Sequence, residues 1–391
     1  MGSPRLPGTP RLLRALNDRS ALELLLARGP LTRAQLGELT GLSKVTASQL
    51  VERLEERGLV TRVGEQAGGR GPNAQLYAVA PNSAHVVGVD VRADRVVAAC
   101  ADITGQVTGR VEQSTQDTDD PLRVVHNAVI EVAGTARADL SSIRRVVLGT
   151  PGLVDPATGD IAFAWNLPRW HRGLLAALRE DLDTTVLFEN DVNLAAVAES
   201  EIGAARGVSD FALVWAAGGV GLAVMLGGRL HRGSSGAAGE IGYLPVAGAP
   251  VPRDVWRRSK GAFQQIAAAE AVRALAREHG FRASSAAAAV RAAIAAGTRG
   301  GPFLDAVAAR LALGVASICV VLDPPLVVLA GEIGQAGGSA LAERVQHEVA
   351  AITLTAPRVL VTEVTEEPVL TGALRTALDA VREEVFGSTV G

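Results

Sequence analysis

The chain has 391 residues, nearly half apolar and a fifth charged, a globular composition that excludes a disordered or fibrous protein. Cys100 and Cys319 are its only cysteines and lie far apart in apolar segments, so a disulfide framework is excluded and a reducing compartment is implied. The formal net charge of −3 divides unevenly, with +4 on residues 1–80 and −7 on the remainder, so any nucleic-acid contact belongs to the N-terminal end.

From Leu12 to Arg28 apolar residues recur at helical spacing, and "RGP" ends the run. Thr32 then stands where a hydroxyl caps the helix "RAQLGEL", which stops at Gly41. Ser43 caps a third helix, "KVTASQLVERLEERG", whose expected inward stripe is Val45, Leu50, Val51 and Leu54. Two short helices around a glycine turn, followed by a helix with small polar residues in its first turns, form a helix-turn-helix pattern. The expected DNA-reading residues are Ser43, Lys44, Thr46, Ser48 and Gln49, sized for base edges and phosphates in a major groove. The alternating runs "LVTRVG" and "AQLYAVA" predict two strands flanking a glycine-rich tip with Arg70, a wing suited to phosphate or the minor groove.

The texture changes at Pro81–Ala84, which divides the chain into a winged helix-turn-helix head, residues 1–80, and a body, residues 84–391. Three β-rich runs, "HVVGVDV", "RVVAACAD" and "GQVTGRVEQ", open the body, followed by alternating helices and strands. The order βββαβαβ, then a similar second half, predicts an α/β protein of two lobes with a ligand cleft near residues 190–240. Polar groups collect at the predicted strand ends: Asp90, Asn166, Glu189, Asn190, Asp191, and Glu240 at the end of "GSSGAAGE". Such a set of donors and acceptors suits a polyhydroxylated ligand, with Trp165 or Trp170 offering an apolar face to a sugar ring. The most apolar segment, Leu311–Gly331, is interrupted by Asp323, Pro324 and Pro325, and no signal-peptide core follows Met1. A cytoplasmic protein with no membrane partner is expected.

The blocks "VVGVDV…VVAACADITGQV", "LGTPGLVDPATGDIAFAWNLPRW", "VLFENDVNLAAVAE" and "GGRLHRGSSGAAGEIGYLPV", in this order, resemble the ROK family of repressors, open reading frames and sugar kinases. With the head, the whole chain resembles the family's transcriptional regulators. The resemblance implies an actin/hexokinase-like ATPase fold, assembly into homodimers or homotetramers, a double-stranded DNA operator and a carbohydrate effector. It further implies that Asn166, Asn190, Asp191 and Glu240 bind sugar hydroxyls. Gln264 aligns with another sugar ligand, and Asp191 stands where the family's kinases hold their general base.

The chain departs from the kinase pattern where phosphate should bind. Family kinases follow the first-strand aspartate with Gly-Gly-Thr, whereas Asp90 is followed by Val91, Arg92, Ala93 and Asp94. The second phosphate loop, usually Gly-Thr-Gly, reads "AGGVG". The family's zinc knuckle is also altered: Tyr243 stands at the histidine position, and no cysteine occurs between Leu244 and Gln265. The expectation is therefore a transcriptional regulator, a repressor by preference, with a sugar sensor lacking catalysis, cofactor and metal. The alternatives are a residual ATP-dependent sugar kinase, and a DNA-binding regulator whose degenerate sensor answers a non-sugar ligand or a protein. Tyr243, Trp256 and the prolines at 245, 250 and 252 are the expected substitutes for the metal in holding the knuckle segment.

Overall fold

In the computed structural model the described residues are 10–67, 73–115, 120–163, 173–247, 249–251, 253 and 261–387. The head comprises α1 (Pro10–Arg28), β1 (Leu31–Thr32), α2 (Arg33–Thr40), α3 (Lys44–Glu56), β2 (Val60–Gln66) and β3 (Ala74–Val79), the strands pairing in the order β1-β3-β2. Its punctuation is chemical. Thr32 Oγ1 accepts from the Gln35 amide at 3.2 Å while Gln35 Oε1 accepts from the Thr32 amide at 2.8 Å, a reciprocal capping box that starts α2. Gly41, at φ +70°, ends α2 in the left-handed conformation, and Ser43 Oγ accepts from the Thr46 amide at 3.2 Å to start α3.

One expectation for α3 is corrected. Val45 is 68% exposed, and the inward stripe is Ala47, Leu50, Val51 and Leu54. Val45 precedes Ala47 by two residues, about 200° around the helix, so both cannot face the core. Arg53 of α3 also reaches the buried carboxylate of Asp18 on α1 through two guanidinium contacts, an ion pair the apolar periodicity gave no reason to expect.

The body repeats one plan twice. In the first lobe β4 (His85–Val91), β5 (Arg95–Asp102) and β6 (Val107–Ser114) form an antiparallel meander, and β7 (Ile143–Thr150) and β10 (Thr185–Asn190) extend it in parallel beyond β4. In the second, β11 (Phe211–Ala216), β12 (Val220–Leu226) and β13 (Arg229–Leu230) form the meander, and β14 (Leu326–Ala330) and β15 (Arg358–Val361) the parallel extension. Between β7 and β10 lie the short pair β8 (Leu153–Val154) and β9 (Ile161–Phe163).

Strand alternation sorts the first sheet's faces. Val87, Val89 and Val91 of β4 pack on the side of α4 (Pro121–Ala136) and α5 (Leu174–Leu182). The other face receives α12 (Pro368–Gly387), seated so close that a Cβ on Gly88 would lie 2.9 Å from Leu374 Cγ. Asp90 shares the parity of Gly88, and so ends β4 on the α12 side, where the strands' carboxyl ends open. The second sheet packs α6 (Asp191–Ile202) on one face. Its other face takes a layer of α7 (Ala262–Ala267), α8 (Ala269–Glu278), α9 (Ala286–Ala295), α10 (Gly301–Leu322) and α11 (Gly331–Ile352). The helical stretch Gly297–Leu322 is long and apolar enough to cross a membrane by length and composition, yet one face of it is built into this core.

α12 joins everything. It crosses α6 at Gly372, where a Cβ would stand 1.9 Å from the Leu194 carbonyl oxygen, so only glycine admits the crossing. Its apolar residues from Leu370 to Phe386 share a single core with Ala21, Leu22 and Leu25 of α1 and with Val86 of β4. Head and body are thus continuous in packing.

The Asp18–Arg53 pair is the polar fastening within the head. Because breaking one partner of a buried pair leaves an uncompensated charge, Asp18→Ala should lower the protection of α1 and α3 amides by about 1–3 kcal/mol, discounted for the partial exposure of Arg53. Hydrogen exchange followed by mass spectrometry measures this directly. Protection equal to wild type would show that the pair contributes nothing.

Candidate functional site

The two lobes face each other across a cleft of about 920 Å³. Its first wall is the end of β4 and the following turn, with Asp90, Arg92, Ala93 and Arg95. Asp191 opens α6 on its floor. The second lobe contributes the β11–β12 turn, Ala217–Gly219, and the start of α11 at Gly331, Glu332 and Gln335. Gly331 is at φ +77°, and a Cβ there would meet the Ala216 carbonyl oxygen at 2.6 Å, so the strand-to-helix turn requires glycine.

In this cleft Asp90 is not free. Arg92 Nε donates to Asp90 Oδ2 at 2.8 Å, and a second guanidinium nitrogen stands 2.6 Å from the same oxygen. Burial raises the Asp90 pKa, and the Arg92 charge opposes that rise. The turn is braced from behind, as Thr115 donates through Oγ1 to the Ala93 carbonyl at 2.9 Å and through its amide to that of Asp94 at 3.0 Å. The sequence departure at Arg92 thus supplies the strand-end carboxylate with an internal cation.

Asn190 and Asp191 occupy the junction of β10 and α6. Asn190 Oδ1 accepts from the amides of Val192 at 2.9 Å and Asn193 at 3.1 Å, making it the helix cap, and Nδ2 donates to the Gly152 carbonyl at 3.0 Å. One amide hydrogen is left to offer a ligand. Asp191 is half-buried, and desolvation, reinforced by the nearby Asp90 and Glu240 carboxylates, pushes its pKa up to about 7 despite a hydrogen bond from the Val192 amide. Glu240 is exposed and near enough to Asp191 for their charges to interact, and desolvation by the surrounding protein raises its pKa. Burial and then the Glu240 charge push the Tyr243 hydroxyl up to about 12.

The loop ending in Glu240 is fastened in two ways. Arg232 Nε donates to Glu189 Oε2 at 2.7 Å, while Asn193 Nδ2 donates to the other oxygen of this buried carboxylate at 2.8 Å. Arg232 was not among the residues singled out from sequence, because a lone arginine in a loop gives no signal of its partner. Glycines supply the rest. Gly236 at φ +80° and Gly239 at φ +100° would each direct a Cβ to 2.0 Å from a carbonyl oxygen, of Val154 and Leu222 respectively.

Gln264 makes contacts of its own within the second lobe. Its Oε1 accepts from the Val220 amide at 2.8 Å, and Nε2 approaches the Gly218 carbonyl at 3.4 Å, so the side chain clamps the β11–β12 turn. Of the residues expected to hold the knuckle segment, two prolines and the residues around Phe263 can be followed. Pro245 and Pro250 are exposed, whereas Phe263 is wholly buried, donates through its amide to the Leu244 carbonyl at 3.1 Å, and joins Ile241, Leu244 and Val246 in the second-lobe core. The segment from Leu244 to Gln265 contains no thiol or imidazole, so its donor set does not fit zinc. Asn166, Trp165, Trp170, Pro252, Trp256 and Arg70 lie outside the described residues.

On the head, Lys44, Thr46 and Gln49 are exposed on α3 and Ser48 is half-buried. Ser43 and Thr46 also hydrogen-bond each other through their hydroxyls at 2.8 Å, so Ser43 is first of all a cap.

Comparison with known proteins gives this geometry a family. The ROK family matches residues 86–376, which is most of the chain. The chain belongs to the ROK family. The MarR family matches residues 16–71, within the winged head. The DNA-binding transcriptional dual regulator NagC of Escherichia coli is 27% identical over 243 residues, 61% of this chain and 59% of that protein. The xylose repressor of Bacillus subtilis is 27% identical over 242 residues, 60% of this chain and 61% of the relative. The alignments therefore span about three fifths of these relatives. Among solved structures, a ROK family transcriptional regulator, homolog of the E. coli MLC protein, superposes with a TM-score of 0.75 at 17% identity, over 97% of this chain and 99% of its own. The ROK hexokinase of Thermus thermophilus superposes with a TM-score of 0.64 at 26% identity over 76% of this chain and 99% of its own. The fold is thus a MarR-like winged head on an actin/hexokinase-like ROK body.

The raised pKa of Asp191 has a consequence for stability. The folded chain holds this proton up to about pH 7, whereas the unfolded chain releases it near 3.8. Between those values the unfolded state binds fewer protons, so stability falls as pH rises through the window and is flat above it. Asp191→Asn removes this contribution and should be more stable than wild type at pH 8, by on the order of 1–3 kcal/mol, with little difference at pH 4. Urea titrations at the two pH values decide it, and parallel pH profiles for the two proteins would count against the shift.

Proposed function

We propose that this protein is a DNA-binding transcriptional regulator, acting as a repressor of carbohydrate-metabolism genes, whose body senses a sugar or sugar derivative and does not transfer phosphate. The observation that carries the reading is the combination of a winged helix-turn-helix packed into the same core as a sugar-kinase-like body with an Asp90 already neutralised by Arg92. Phosphoryl transfer depends on positioning and on charge stabilisation by metal and backbone amides. A guanidinium held on the strand-end carboxylate, on a turn carrying β-carbons in place of glycines, opposes both. The NagC and xylose repressor relatives support the regulatory half of this reading.

In this role Lys44, Thr46, Ser48 and Gln49 meet the major groove, with Ser43 ordering the first turn and Arg70 at the wing. Asp191, Glu240, the remaining amide hydrogen of Asn190, and Asn166 meet the sugar hydroxyls, while Gln264 positions the glycine turn beside them. The partners are a double-stranded operator, a carbohydrate effector and further copies of the chain, as a homodimer or homotetramer in the cytoplasm. Effector and operator are linked reciprocally: a sugar that weakens DNA binding binds less tightly to the DNA complex by the same factor.

Gel shifts against the gene's own upstream DNA test the head. Lys44→Ala and Arg70→Ala should each weaken binding several-fold and flatten its salt dependence, since each removes a phosphate-facing charge. Unchanged binding in both variants would remove the groove and wing assignments. Titration calorimetry with a panel of monosaccharides and their phosphates tests the body: one should bind wild type, bind Glu240→Gln at least tenfold more weakly, and release DNA. A panel without heat or DNA release would overturn the sugar sensor in favour of a non-sugar ligand or a protein.

A residual sugar kinase is the second reading, favoured by Asp191, whose pKa near 7 suits a general base. ADP release in the presence of ATP, magnesium and sugars, abolished by Asp191→Ala, would establish it.

A further inference from the structure

The recognition helix carries one residue that its own packing does not explain. Val45 is the second residue of α3 and 68% exposed, while its neighbours Ser43, Lys44 and Thr46 are polar and exposed. A β-branched residue here gains nothing from helix propensity and buries almost nothing in the head. Gln49 lies one turn further along the same exposed face. The first turns of a recognition helix are the part that reaches base edges, and the only apolar feature of a major-groove edge is the C5 methyl group of thymine.

We propose that Val45 is a specificity-determining residue that packs its two methyl groups against the C5 methyl of a thymine in each operator half-site. The inference rests on the DNA-binding reading above and adds a base preference to it. Water leaves both apolar surfaces when they meet, so the contact discriminates thymine from the other bases without a hydrogen bond. Lys44 and Thr46, on either side, supply the polar and charged contacts that fix the helix in the groove, and these are indifferent to the thymine methyl.

The test separates the methyl group from everything else in the base pair. The full chain selects its preferred duplex from a random-sequence pool, and each thymine of a half-site is then replaced singly by uracil, which deletes only the C5 methyl. For wild type, one such replacement should weaken binding about three- to fivefold, the equivalent of one buried methylene group. Val45→Ala should bind the thymine duplex more weakly by a similar factor and lose its sensitivity to uracil at that one position, while Lys44→Ala keeps the sensitivity at reduced overall affinity. Selected half-sites without thymine, uracil replacements that are silent throughout, or equal sensitivity in wild type and Val45→Ala would each overturn the proposal while leaving DNA binding intact. A chain that selects no sequence at all would overturn the DNA-binding reading itself, and this proposal with it.

Discussion

The structure turns on the position of α12. It starts at the rim of the cleft, where Glu366, Glu367, Pro368 and Val369 face the cavity, crosses α6 at Gly372, and ends at Phe386 in the core that also holds α1 of the head. A rigid helix cannot be moved at one end and left still at the other. Close packing at Gly372 and against Gly88 leaves no slack for it to slide independently. Whatever alters the angle between the lobes therefore reaches the winged head through buried apolar contacts rather than through a linker. In the proposed regulator, this shared core is the route by which a ligand between the lobes and an operator under α3 would be coupled.

Arginines pair with several carboxylates in and beside the cleft. A phosphate-transfer site needs unpaired carboxylates for metal and bare backbone for phosphates. Here Arg92 holds Asp90, and Arg232 holds Glu189. Arg110 holds Glu367 through both carboxylate oxygens. These pairs fix the geometry of the turns that carry them. Asp191 and Glu240 have no arginine partner among the described residues, and desolvation raises the pKa of both.

Much of this was legible in the residues. Asp90 was legible as a strand-end carboxylate, hydroxyls at Thr32 and Ser43 announced the helix starts, and the order of β-rich and helical runs gave the two-lobed plan. What was not legible depends on distance in space. Asp18 and Arg53 are 35 positions apart, and Arg232 and Glu189 are 43 apart. No periodicity connects such pairs. Gln264 reads as a ligand by alignment, and the alignment gives no sign that its Oε1 also accepts from the Val220 amide. Val45 reads as core by composition, and only the rotation of α3 about Ala47 and Leu50 turns it to solvent.

Glu367 shows how the two halves of the design meet. It adopts φ +45°, a left-handed conformation that costs a residue with a β-carbon about 1–2 kcal/mol, immediately before Pro368 opens α12. Arg110 on β6 pairs with its carboxylate, and the hydrogen bonds and then the charge of Arg110 lower the Glu367 pKa. The start of the helix that carries the head is thus held in an unfavourable backbone state by an ion pair at the cleft rim. Both side chains are partly exposed, so the pair is worth about 0–1 kcal/mol and offsets only part of the backbone cost. The remainder is carried by the packing of α12 itself, whose apolar residues sit in the core shared with α1 and β4.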